Sequence, residues 1–148
     1  MIYTELTNKA LRIAYNAHDG QVDACGQPYI FHPFHLAEQM PDEITTCIAL
    51  LHDVVEDTSI TFEDLAQEFP CEIIDALRLL TRKKDQDYFE YIQALKHNPL
   101  AKIVKQADLA HNLDATRFSG CSEIPQDKLE KWQIKYKYAL QILTSQNL

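Results

Sequence analysis

The sequence predicts an all-α fold. Apolar residues recur at helical spacing along most of the chain, and no segment alternates at the period of a strand. Three glycines and six prolines are also too few for a fold built on many tight turns. The 148 residues, 46% of them apolar, suffice for one hydrophobic core and leave little for a second, so one domain over residues 1–148 is expected.

The first helix runs from Thr4 to about His18, with Leu6, Ala10, Leu11, Ile13, Ala14 and Ala17 on its spacing and Asp19-Gly20 closing it. Residues 19–31 hold two of the three glycines and a proline and read as a loop. Pro33 suits the first turn of a second helix ending near Met40, which places His32 at a loop-to-helix junction. Pro41-Asp42-Glu43 opens a third helix through Ile44, Cys47, Ile48, Leu51 and Val55 to Glu56 or Asp57. Thr61 followed by Asp64 has the pattern of a capping box for a short helix to Phe69. After Pro70 an amphipathic helix covers Ile73 to Leu80, and past a polar stretch another covers Tyr88 to Lys96. Asn98-Pro99 opens a helix to about Leu113. Residues 114–125 have no clean period, and then Leu129, Trp132, Tyr136, Ala139, Leu140 and Leu143 form one stripe, read as a core-facing helix.

Fourteen Lys and Arg against 22 Asp and Glu give a net charge of −8, which disfavours a module that binds nucleic acid by neutralising phosphates. Cys25, Cys47, Cys71 and Cys121 are scattered without a C-x-x-C pair, and no basic stretch leads into an apolar run at the N-terminus. Reduced thiols, a cytoplasmic location and no membrane partner are expected, since no apolar stretch approaches the roughly 20 residues of a membrane span.

The chemistry concentrates where a polar cluster interrupts an apolar helix. At about 100° per residue, His52, Asp53, Glu56 and Asp57 share one side of the third helix, whose remaining circumference is apolar. Three carboxylates close together near a core raise one another's pKa unless they are protonated, paired or bound to a cation. A divalent ion resolves this, given further ligands from elsewhere in the chain. Asp108 lies between Ala107 and Leu109 on a later helix, sharing a face with Lys105 and Asn112, and His32 is fixed just before a proline. Taken singly, a His-Asp pair at a helix end is more often a hydrogen-bonding pair, and Asp108 a cap or ion-pair partner. The apolar frame around each tips the reading toward a metal. His32, His52, Asp53 and Asp108 would make a two-nitrogen, two-oxygen set, which suits manganese with open positions better than a closed zinc site. His18, His35 and His111 are read as structural histidines, and no cysteine has a neighbouring base that would make it a nucleophile.

Four pieces of the chain, AHDGQ at 17–21, GQPYIFHP at 26–33, ALLHDVVEDT at 49–58 and the stretch from Asn98 to Asn112, resemble HD-domain phosphohydrolases. They are similar in particular to the hydrolase domain of the alarmone enzymes and its small stand-alone relatives, and they come in that family's order. The resemblance implies one HD domain in which His32, His52, Asp53 and Asp108 hold manganese. Glu56 and Asp57 then match the acidic pair that orients or deprotonates the attacking water. Asn112 matches a residue contacting substrate sugar or phosphate, Lys105 stands beside the site as a candidate substrate-binding residue, and Arg117 is a further candidate cation for the phosphates. The implied reaction is metal-assisted attack of water on phosphorus, with guanosine 3′,5′-bis(diphosphate), ppGpp, cleaved at its 3′-pyrophosphate as the first substrate to expect.

One segment departs from the family. Between Gln21 and Gly26 the alarmone hydrolases carry basic residues, whereas this chain has Val22, Asp23, Ala24 and Cys25. That leaves a nucleoside monophosphate or cyclic nucleotide as the alternative substrate, and a non-catalytic nucleotide sensor as the alternative outside enzymology.

Overall fold

Capping chemistry decides where the helices begin. In the computed structural model, which describes residues 1–145, α1 (Glu5–Ala17) starts at Thr4, whose hydroxyl accepts from the Thr7 N–H while the Thr7 hydroxyl accepts from the Thr4 N–H. The helix α2 (Phe31–Glu38) carries Pro33 in its first turn. Next, α3 (Glu43–Leu51) begins at Asp42, whose carboxylate accepts from the Thr45 N–H at 2.8 Å. A one-turn helix α4 (Val54–Asp57) follows, and then α5 (Phe62–Ala66), opened by the Thr61–Asp64 capping box. The helix α6 (Cys71–Leu80) follows Pro70, α7 (Tyr88–Leu95) is capped by Asp87, and α8 (Pro99–Asn112) is capped by Asn98 with a proline at its start. A short 3-10 turn (Ala115–Phe118) precedes α9 (Gln126–Thr144). Among the described residues there is no strand, only an isolated bridge between Val22 and Pro28. The all-α expectation holds.

The centre of the fold is α3. It packs against α1, α2, α6 and α8, and Cys47, Ile48, Ala49 and Leu50 are fully buried. Each large apolar side chain so buried contributes about 1.5–3 kcal/mol, so the position of α3 is strongly determined. The two threonines on this helix are buried without penalty because their hydroxyls bond back to Asp42.

Two expectations need correction. The third helix is not continuous to Glu56: it ends at Leu51, and His52 and Asp53 form a turn before α4. The cause is local, because His52 Nδ1 donates to the Ala49 carbonyl at 2.6 Å, the oxygen that would take the Asp53 N–H in an unbroken helix. The C-terminal stripe also splits. Ala139 and Leu143 are buried as expected, but Trp132 and Tyr136 are only half-buried and line a cleft.

Candidate metal centre

The break between α3 and α4 turns two side chains toward residues from α2 and α8. His52 Nε2 lies 3.0 Å from Asp53 Oδ2 and 3.9 Å from Asp108 Oδ1. His32 Nε2 lies 2.9 Å from the same Asp108 oxygen. The four residues expected from the sequence to bind a cation are thus gathered in space, although they come from three separate parts of the chain. His32, His52 and Asp53 each bring one ligand atom within 4.8 Å of the others, and so do Asp53, Glu56 and Asp57. The arc predicted on one helix is delivered by the turn after α3, which carries His52 and Asp53, and by the one-turn α4, which carries Glu56 and Asp57. Only His52 and Asp53 go inward, whereas Glu56 and Asp57 are exposed at the rim, so the three acids are not buried together as the sequence suggested.

The donor set fits a divalent cation. His52 spends its Nδ1 proton on Ala49, which leaves Nε2 buried, without a hydrogen-bond partner and facing carboxylate oxygens. An imidazole lone pair opposite two carboxylates is a repulsive arrangement that a proton or a metal ion relieves. Burial works against a charged His52, yet Asp53 and Asp108 outweigh it and push its pKa up to about 9. Burial likewise disfavours the Asp53 carboxylate, but His52 overcomes this and brings it down to about 2. Asp108 is held well below the usual carboxylate range, since Lys105, His32 and His52 together outweigh its burial. Ligand atoms on a common ion at about 2.0–2.2 Å sit roughly 3 Å apart at right angles, so the 2.9–3.9 Å spacings suit one ion.

Surrounding groups fix each donor. Tyr29 hydroxyl donates to Asp53 Oδ2, and burial with the Asp53 charge keeps that phenol protonated far beyond neutral pH. His32 Nδ1 lies 2.7 Å from His111 Nδ1, and the two rings stack at 5.0 Å. Burial, Arg117 and His32 push His111 down to about 3, so it stays neutral and accepts the His32 proton, leaving His32 Nε2 free to coordinate. His111 therefore orients His32, which fits its reading as a structural histidine and adds a partner that the sequence did not name. On the other side, His18 Nδ1 bonds Gln21 and Gln21 Nε2 donates to the Asp57 carbonyl at 3.0 Å, tying the first loop to α4.

The centre forms the floor of a cleft of about 340 Å³. Asn112 and Arg117, the candidate substrate-binding groups, line it. Asn112 donates to Asp108 Oδ1 at 3.2 Å, and Arg117 reaches the Asn112 side chain at 3.3 Å. Lys105 does not line it. Its ammonium is turned inward onto Asp108 Oδ2 at 2.7 Å and lies over the Tyr91 ring, because a cation in that apolar setting needs the carboxylate more than it needs water. Lys105 thus positions Asp108, and the substrate contact expected from the sequence is not made from this conformation. Asp23 lines the cleft with its carboxylate 3.9 Å from Arg117, so its charge is partly offset. Arg82 is engaged elsewhere, bonding the Gln86 carbonyl and packing on Tyr88.

Comparison with known proteins places these observations. No family model matches the chain. It is 34% identical over 120 residues to the bifunctional (p)ppGpp synthase/hydrolase SpoT of Escherichia coli, covering 71% of this chain and 17% of that protein. It is 33% identical over 138 residues to the guanosine-3′,5′-bis(diphosphate) 3′-pyrophosphohydrolase of Borreliella burgdorferi, covering 83% of this chain and 20% of that protein. A probable GTP pyrophosphokinase of Mycobacterium leprae is 32% identical over 126 residues, 76% of this chain and 16% of its own length. The chain therefore spans a fifth or less of these curated relatives. In fold it is similar to a solved metazoan orthologue of SpoT that hydrolyses ppGpp, with a TM-score of 0.79 at 24% identity over 99% of this chain and 90% of that one.

Proposed function

We infer that this chain, like the RelA/SpoT-type HD hydrolases it resembles, is a metal-dependent phosphohydrolase acting on a nucleotide, with 3′-pyrophosphate release from ppGpp as its reaction. The observation that carries this is the meeting of His32, Asp53 and Asp108 in the lining of a cleft, with His52 buried against Asp53 and Asp108 behind them and Glu56 and Asp57 exposed at the rim. The first four would hold one divalent cation, for which manganese is the assignment. A cation there supplies Lewis acidity at the phosphoryl oxygens and makes water a stronger acid.

The remaining work falls to the chain's own groups. Glu56 and Asp57 lie beside Asp53 and open to the cleft, where either carboxylate can take a proton from the attacking water. Arg117 offers a guanidinium to phosphate oxygens, and Asn112 presents its amide at the same wall for a ribose hydroxyl or phosphate. Tyr29, His111 and Lys105 keep Asp53, His32 and Asp108 in place. An enzyme in this reading uses one small-molecule nucleotide.

A second reading is favoured by the charge of the cleft. Asp23, Asp53, Glu56, Asp57 and Asp108 line it against the single guanidinium of Arg117 among the described lining residues, which suits a nucleoside monophosphate or cyclic nucleotide better than a tetraphosphate. Elemental analysis of the purified protein, followed by phosphate and pyrophosphate release from guanine and adenine nucleotides with manganese, tests both. Pyrophosphate release confined to ppGpp establishes the first reading, and phosphate release confined to monophosphates replaces it with the second. Tight nucleotide binding with no turnover under any divalent cation would leave a sensor.

A further inference from the structure

One wall of the cleft does no chemistry in the reading above. The lining also includes Phe118, from the 3-10 turn, and Trp132 and Tyr136, one turn apart on α9. Trp132 is the only tryptophan of the chain. Lys128 lies 5.1 Å from its ring centroid and Phe118 6.3 Å away at a 47° tilt, so neighbours hold the indole without enclosing it. The next positions of the same stripe, Ala139 and Leu143, are fully buried, which shows that the helix has a core to face and turns its two large rings elsewhere.

We propose that Trp132, flanked by Phe118 and Tyr136, is the stacking platform for the base of a nucleotide whose phosphate reaches the acidic floor, and that this stacking selects the ligand. The argument combines geometry and charge. A cleft with five carboxylates and one guanidinium gains little from phosphates until a cation is bound, so another source of affinity is required. An indole offers one that does not depend on charge, because any base presents a flat π-face, and removing such a platform typically weakens binding by about tenfold or more. The cleft is also within the usual size range for small-molecule sites at about 340 Å³. The ligand class is thus a nucleoside phosphate, distinguished from base-free sugar phosphates and from inorganic pyrophosphate. This rests on the assignment of a nucleotide phosphohydrolase for the position of the phosphate, while the stacking itself is read separately from catalysis.

Because Trp132 is unique, its fluorescence reports directly on its own surroundings. The full chain is titrated in magnesium buffer with guanosine 5′-diphosphate, adenosine 5′-monophosphate, ribose 5-phosphate and inorganic pyrophosphate. Saturable quenching by both nucleotides and none by the two base-free compounds is the expected result. Equal quenching by pyrophosphate, or no change with either nucleotide, overturns the proposal. In equilibrium dialysis Trp132→Leu should bind both nucleotides at least about tenfold more weakly while Trp132→Phe keeps most of the affinity, and binding by Trp132→Leu within twofold of the parent overturns it as well. If the leucine variant fails to fold, the parent titration decides alone. Quenching without hydrolysis would remove the catalytic assignment and keep the platform; hydrolysis indifferent to the base would do the reverse.

Discussion

Replacing Lys105 by methionine removes one charge from behind the metal centre and keeps most of the side-chain volume. The Lys105–Asp108 pair is 2.7 Å long, with side-chain exposures of 12% and 7%. Breaking one partner of such a pair costs about 3–5 kcal/mol, because the other charge is left buried. Asp108 retains His32 at 2.9 Å and Asn112 at 3.2 Å, which places the loss near the lower end. For a chain of this size about 1 kcal/mol corresponds to roughly 2–4 °C, so a loss of about 3 kcal/mol lowers the Tm of Lys105→Met by roughly 6–12 °C. The assay is thermal unfolding followed by circular dichroism in EDTA. Repeating it with saturating divalent cation should raise the variant more than the parent, since the cation then supplies the positive charge that Asp108 has lost and no ammonium opposes its entry. A shift under about 3 °C in EDTA, or equal gains from the cation in both proteins, refutes the view that Lys105 exists to hold Asp108.

Three further outcomes follow from the site. His52→Ala and Asp108→Ala should each lose most of the bound metal found by elemental analysis in the parent, and parent-like metal content in either variant removes the residue from the ligand set. Glu56→Ala and Asp57→Ala should keep the metal and the fold, since both residues are exposed, while kcat falls by about 10² to 10⁴; a residual rate within a few-fold of the parent eliminates the proton-transfer role. Asp23→Arg with Ala24→Lys puts two cations on the cleft wall and frees Arg117 from its acid, so KM for ppGpp should drop with kcat nearly unchanged, and an unaltered KM in steady-state assays would show that this wall does not meet the phosphates.

The sequence carried the helices and the candidate metal donors that the fold gathers better than it carried their arrangement. Thr4, Asp42, Thr61, Asp87 and Asn98 each announce a helix start by an oxygen that accepts a backbone N–H, a local event that the order of residues records directly. His52 and Asp53 stood out because acids interrupted an apolar run, but the break in the helix there depends on one side-chain bond to Ala49 that no periodicity encodes. Trp132 and Tyr136 were placed in the core because a stripe of rings looks the same whether it faces a core or a cleft. The inward turn of Lys105 and the contact between His32 and His111 bring together residues from distant segments or set which way a flexible side chain points, and neither is written in spacing. A partial signal existed for Tyr29, three positions before His32 in GQPYIFHP, where the turn before α2 brings the two rings to 5.8 Å.

The two walls of the cleft differ in how much change they can absorb. The candidate donors hang from α2, the turn after α3 and α8, and Ala49, whose carbonyl holds His52, is fully buried. Enlarging a side chain there displaces a ligand as readily as it strains the interior, so selection on that wall acts on stability and chemistry together. The opposite wall stands on half-exposed rings of α9 and on the loop carrying Val22 to Ala24, where substitutions leave the interior untouched. Under the proposed function, a few substitutions in that outer lining would change which ligand fits while leaving the buried residues beneath it undisturbed.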